Sequence, residues 1–109
     1  MENEEKLDAV FYALSDSRRR LLLEELAAGP RSVNLLAAVA GMKISAASKH
    51  IAVLEAGDLV VKIRQGREVL CHLNYDVWRE VAGYVAMHTK FWSSRLDELA
   101  THLKSARET

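Results

Sequence analysis

The side chains able to do chemistry are concentrated between Lys43 and Arg67. Lys43-Ile-Ser-Ala-Ala-Ser-Lys-His-Ile51 sets cations, hydroxyls and an imidazole among small residues, and Arg64-Gln-Gly-Arg67 adds two guanidiniums and an amide. These groups donate to phosphate oxygens and to base edges. Ala46, Lys49, Ala52 and Val53 recur at helical spacing, flanked by Ser48 and His50, and form a face with almost nothing bulky on it. Another surface can come close to such a face, and a DNA major groove is wide enough to admit the helix. Enzyme chemistry finds less support. There is no glycine-rich phosphate loop, no His-Glu-x-x-His pair and no Gly-x-Ser-x-Gly elbow. Ser48-Lys49 and Thr101-His-Leu-Lys104 place hydroxyls beside bases, but on helical surfaces with no sign of an enclosing pocket.

The elements that must hold this stretch are legible from periodicity. Ala47, Ile51 and Leu54 form an apolar stripe, with Ser45 expected as the N-cap and Gly57 as the positive-φ residue past the last turn. A short helix precedes it, capped by Ser32, carrying Val33, Leu36, Val39 and Ala40 and ending at Gly41. Two short helices joined by a glycine-containing turn make a helix-turn-helix. Upstream, Leu7, Val10, Phe11 and Leu14 mark a first amphipathic helix. Ser15-Asp16-Ser17 then offers caps for a second, from Arg18 to Ala28, closed by Gly29-Pro30. Three arginines in the first turn of that helix sit unfavourably at its positive end. They call for an anion, either Glu24 and Glu25 one turn on or a DNA phosphate.

Downstream, Leu59 to Arg64 alternates, with Leu59, Val61 and Ile63 on one side and Val60, Lys62 and Arg64 on the other. Gln65-Gly66 is a turn signal, and Arg67 to Leu73 returns as a second strand. The hairpin tip has only cations among its charged residues. A basic hairpin directly after a recognition helix has the position of a wing that touches phosphates or the minor groove. From Asp76 a long helix follows, with Trp78, Val85, Trp92, Leu96, Leu99 and Leu103 near one seam and Gly83 as a site of bending or close crossing. Its apolar stripe exceeds what so small a core needs. The expectation is a twofold dimer built on Leu7, Val10, Phe11, Leu14, Val85, Phe91, Trp92, Leu96 and Leu99.

The chain of 109 residues is read as one domain, mainly α with a small β-hairpin, in the order α-α-α-α-β-β-α. Its net charge is zero, which alone argues against a nucleic-acid binder, but the charge is segregated. Met1 to Asp8 carries four acids and one lysine, whereas Lys43 to Arg67 carries five lysines and arginines against Glu55 and Asp58. A basic face can therefore exist on a neutral protein. No apolar run reaches a membrane span and no signal-peptide core opens the chain, so a cytoplasmic location is expected. Cys71, the single cysteine, cannot form an internal disulfide. It is either a small apolar packing residue or a redox switch, and a switch needs a low thiol pKa and a resolving partner.

Element order and particular residues together resemble the ArsR/SmtB-type winged helix-turn-helix repressors. The resemblance is carried by Ala13-Leu-Ser-Asp-Ser-Arg-Arg19, Leu22 to Leu26, Met42 to Ile51, Leu54-Glu-Ala-Gly-Asp-Leu59, Gly66-Arg67 and Phe91 to Leu99, which together span nearly the whole chain. It implies a homodimer that binds an operator of twofold symmetry in double-stranded DNA and represses by excluding polymerase. It also implies DNA contact from Ser48, Lys49 and His50, with Arg64 and Arg67 on the wing. Ser45, Ala46, Lys62 and Gln65 complete the candidate DNA surface. The reading helix has no Arg, Asn or Gln on that face, so the strongest bidentate base contacts are missing.

Metal-sensing relatives carry a Cys-x-Cys in the third helix, where this chain has Ser32-Val-Asn-Leu-Leu-Ala-Ala38. Their last-helix site has more ligands than His88 and His102 provide here. The ending Phe91 to Leu99 is similar to a subgroup without those sites, and no metal or other cofactor is expected. The effector, if there is one, is not legible. A small-molecule, metal or redox sensor and a winged-helix module for protein contact remain the alternative readings.

Overall fold

The computed structural model describes residues 4–108. Its elements are α1 (Glu4–Leu14), α2 (Ser17–Ala27), α3 (Val33–Ala40), α4 (Ile44–Ala56), β1 (Val60–Gln65), β2 (Glu68–Leu73) and α5 (Tyr75–Glu108). The order is the one read from periodicity, and the architecture is that of a winged helix-turn-helix. The chain forms two compact units, one ending at Trp78 and the other beginning at Arg79.

The core of the first unit is built from one apolar stripe on each helix. Val10 and Ala13 of α1, Leu22, Leu23 and Leu26 of α2, Leu36 and Ala37 of α3, and Ala47, Ile51 and Leu54 of α4 are all buried. Leu59, Val60, Cys71 and Val77 join them from the hairpin and the start of α5. Val39, expected on the inner stripe of α3, is instead half-exposed, and Ala37 takes the inner position. An eight-residue helix has room for only one buried turn, and that turn is centred on Leu36 and Ala37.

Gly57 does not have the role expected of it. Its φ is −86°, and the left-handed residue is Asp58, at φ 57°. What requires glycine at 57 is proximity, because a Cβ there would lie 3.1 Å from the carbonyl oxygen of Ala9 and 3.4 Å from the Cα of Val10. The α4 C-terminus and α1 thus approach backbone to backbone. Gly57→Ala is therefore expected to destabilise the fold by about 1–3 kcal/mol through overpacking. Chemical denaturation reads this directly, and a variant as stable as the parent would show that α1 yields freely.

The hairpin is antiparallel, with Val60 opposite Leu73, Lys62 opposite Cys71 and Gln65 opposite Glu68. Its two-residue turn is Gly66-Arg67, one residue later than expected, with Gly66 at φ 65° supplying the positive dihedral that such a turn requires. The alternation does not divide buried from exposed along β1, whose one buried residue is Val60 at its start. Val60 is buried, while Val61 and Ile63 on the opposite face are 37% and 42% exposed. The cause lies on the other side of β2, where Arg31 pairs with Cys71 through two backbone hydrogen bonds of 2.7 and 3.2 Å. That bridge ties the Val60, Lys62 and Cys71 face to the helical core.

The second unit is the body of α5. The helix is unbroken through Gly83, where an added Cβ would meet open space, so none of the described residues crosses closely at that point. With 34 residues at 1.5 Å each, α5 is about 50 Å long. Among the described residues, no helix is long and apolar enough to cross a membrane.

Candidate nucleic-acid interface

The helix-turn-helix geometry begins with the end of α3. Gly41 is left-handed at φ 66° and returns its N–H to Ala38, while Met42 returns its N–H to Ala37 at 2.9 Å. The chain therefore re-enters helix at Ile44, two residues before the start expected after a Ser45 cap. Lys43, not Ser45, is the N-cap, and it makes no side-chain cap hydrogen bond. Its carbonyl accepts from Ala47 at 3.0 Å, so α4 is stabilised by the backbone and by its buried stripe. Ser45 sits inside the first turn with its side chain exposed.

Ala47, Ile51 and Leu54 anchor α4, which fixes what it shows to solvent. Ser45, Ser48 and Lys49 are exposed, and Ala46 and His50 are half-buried beside them. Arg64, Gln65 and Arg67 are exposed at the hairpin tip. Lys62 is different, because its Nζ lies 3.3 Å from a carboxylate oxygen of Glu55 and the two are each about one-third exposed. It is the only one of the nine candidate DNA residues in an ion pair among the described residues. His50 is near enough to Asp16 to help lower that carboxyl's pKa, although the largest cause is the hydrogen bond from the Arg18 backbone.

Two of the three arginines of α2 find their partners in the chain itself, at the end of α1. Asp16 caps the helix, its carboxylate accepting from the N–H groups of Arg18 and Arg19 at 2.7 and 3.3 Å. The Arg19 side chain is buried and donates from Nε to Ala13 O and from Nη2 to Tyr12 O, both at 2.8 Å. Arg20 donates to Leu14 O at 2.7 Å. The anion that these two guanidiniums find is the negative C-terminal end of α1. Arg18 is exposed and has no side-chain hydrogen bond or ion pair among the described residues.

Cys71 is fully buried, and burial pushes its thiol pKa up. A reactive thiolate needs the opposite shift and access to solvent, so the packing reading is the one the geometry supports. Among the described residues no group of three or more His, Cys, Asp or Glu side chains is placed to hold a metal ion. His88 stacks on Tyr84, with ring centroids 4.4 Å apart.

With this geometry in place, solved structures provide the comparison. A crystal structure of an ArsR family transcriptional regulator shares 31% identity with this chain, covering 85% of it and 96% of that chain, at a TM-score of 0.73. The chain belongs to the ArsR family. An ArsR-like transcriptional regulator from Rhodococcus sp. RHA1 is similar at 29% identity and a TM-score of 0.76, covering 87% of this chain and 90% of that one. The solution structure of a homodimeric winged helix-turn-helix DNA-binding domain from Mycobacterium bovis, a possible ArsR-family regulator, shares 29% identity at a TM-score of 0.65. That match covers 81% of this chain and 82% of the other. No family model matches the chain, and no curated protein does.

The helix-turn-helix and the hairpin were legible in the sequence, but two features were not. Arg31 as a third strand gave no signal, because one bridge needs no pattern. The division of labour among Arg18, Arg19 and Arg20 gave only half a signal: the charge at a helix N-terminus was visible, but its partner was not.

Proposed function

We propose that this ArsR-family chain is a homodimeric DNA-binding regulator that represses transcription by occupying an operator of twofold symmetry. The observation that carries the reading is the free polar face of α4, where Ser45, Ser48 and Lys49 are exposed, together with wing cations Arg64 and Arg67 that engage no acid among the described residues. A neutral protein that leaves these cations unpaired around one helix has an electrostatic footprint for phosphate.

In this mechanism α4 enters the major groove. Lys49 donates to a guanine edge or a phosphate, and Ser48 donates or accepts as the base requires. Arg64 and Arg67 reach the flanking backbone or minor groove. Lys62, held by Glu55, contributes less. With few bidentate contacts available on α4, half-site spacing and DNA shape supply much of the selectivity. A twofold arrangement follows from the exposed seam of α5, in which Val85, Trp92, Leu96, Leu99 and Leu103 recur near heptad spacing and are about half-exposed.

The test is a titration against duplex from the chain's own upstream region and a scrambled duplex at several salt concentrations. Salt-steep binding that prefers the native duplex supports the reading, and weak binding indifferent to sequence removes it. Lys49→Ala is expected to weaken the native complex by about 1–3 kcal/mol. Arg67→Ala, which removes one wing contact from each protomer of the dimer, is expected to lower the magnitude of the salt slope by about 1.8. An unchanged slope in that variant would mean that the wing does not touch DNA.

A further inference from the structure

A cleft of about 320 Å³ opens beside the helix-turn-helix, lined by Arg18 and Leu21 of α2, by Gly41, Met42 and Lys43 of the turn, and by Ala46 of α4. It holds two cations from separate parts of the chain and no acid. Lys43 and Arg18 are both exposed, and neither has an ion-pair partner among the described residues. Arg18 is also the arginine left over when Arg19 and Arg20 engage the α1 carbonyls. The nearest acid in sequence, Asp16, is outside the cleft lining and is occupied as the α2 cap. Glu24 lines a different surface with Arg20.

We infer that this cleft is a phosphate clamp, in which Arg18 and Lys43 grip one stretch of the DNA backbone from α2 and from the α3–α4 turn. The inference rests on the proposed DNA-binding function and adds a contact outside the reading helix and wing. The chemistry is that of a phosphodiester. A guanidinium takes two anionic oxygens in a fork, and an ammonium beside it supplies a point charge. The first turn of α4 has no side-chain cap, so the Ala46 wall of the cleft adds the positive end of a helix dipole to the two side chains. Ala46 and Gly41 bring no bulk to the mouth, which lets a backbone come close. Ser45, Ser48 and Lys49, one step along α4, then meet the groove that this backbone borders.

The experiment uses the full chain with Arg18→Ala, Lys43→Ala and the double variant, on native and scrambled duplexes from 50 to 200 mM salt. Because each substitution removes one contact from each protomer of the dimer, each single variant is expected to reduce the magnitude of the salt slope by about 1.8, and the double by about 3.6. Each removed contact corresponds to about 3.5-fold less affinity loss across that salt range. Native and scrambled duplexes should weaken alike, because a backbone contact carries no sequence information. A scan of the native duplex with single neutral methylphosphonates adds an independent readout. One or two positions should weaken the parent chain and leave the double variant unaffected.

Parent-like slopes in the variants, with the parent chain binding DNA normally, would overturn the clamp and leave the function standing. A parent chain that binds no duplex would overturn both. Unchanged thermal melts are expected, since neither side chain makes a hydrogen bond or ion pair among the described residues. A slope change accompanied by loss of melting temperature, with no methylphosphonate position distinguishing parent from double variant, would also count against the clamp.

Discussion

A Trp92→Ala, Leu96→Ala double variant is expected to sediment as a monomer at micromolar concentration, where the parent chain sediments as a dimer. Trp92 and Leu96 are 55% and 58% exposed, and Leu99 and Leu103 continue the seam at 51% each. Apolar residues spaced 92, 96, 99 and 103 form a coiled-coil stripe, which needs a second helix to cover it. Phe91 has local company, with Arg95 over its ring at 4.8 Å and Trp92 edge-on at 5.5 Å. The unshared apolar surface is therefore centred on Trp92 and Leu96. Truncating a central aromatic and its neighbouring leucine removes about 2 kcal/mol each, which weakens dimerisation by roughly a thousandfold. Since a monomer engages one half-site, affinity for the full operator should fall by about 10²–10⁴ through loss of effective concentration alone. Sedimentation velocity on both chains decides the matter. A double variant as dimeric as its parent would place the interface elsewhere.

The proposed interface on α1 is narrower than the sequence suggested. Val10 was expected there, yet it is fully buried in the chain's own core, close to the backbone approach at Gly57. A residue with no exposed surface cannot meet a partner. Leu7 and Leu14 are half-buried and Phe11 is 42% exposed, so these three keep surface to offer. Periodicity identifies the apolar side of a helix but does not divide it between core and partner. That division depends on where α4 lies, which no pattern within α1 contains.

Most of the element order was legible because each helix carries its stripe and its stop signal locally. Errors arose where a local signal had a competitor from elsewhere in the fold. Ser45 has the right chemistry for a cap, but the Gly41 turn starts α4 two residues sooner, and the hydroxyl is left exposed. Leu59, Val61 and Ile63 read as one apolar side of the first strand, but the Arg31 bridge ties the other face of the hairpin to the core and leaves Val61 and Ile63 partly exposed. The same limit applies to the candidate site. All nine proposed DNA residues are wholly or partly accessible, but Lys62 pairs with Glu55, a neighbour on another element that no i,i+4 pattern marks. Sequence shows which side chains carry charge. Only the fold shows which of those charges are already answered.

Arg19→Ala is expected to cost about 3 kcal/mol of stability, enough to lower the denaturation midpoint strongly, although the residue looks from sequence like a third surface cation. Its side chain is only 7% exposed, and its two short hydrogen bonds run to the carbonyls of Tyr12 and Ala13 at the end of α1. Hydrogen bonds to a charged donor contribute about 1.5–3 kcal/mol each, and their loss strips Ala13 O of its side-chain donor, while Tyr12 O keeps those from Ser15 N and Oγ. The guanidinium also lies 5.0 Å from the Tyr12 ring centre, a contact that goes with it. The Asp16 carboxylate, at 3.9 Å, adds little at that distance and partial exposure. Arg19→Lys should recover only part of the loss, because one ammonium cannot reproduce a fork that spans two carbonyls and stacks on an aromatic ring. Equilibrium urea unfolding of the three chains measures both differences. If alanine were tolerated within about 0.5 kcal/mol, the α1 terminus would have to be held by its packing alone, and the arginine would be free for the DNA contact that sequence reasoning first considered.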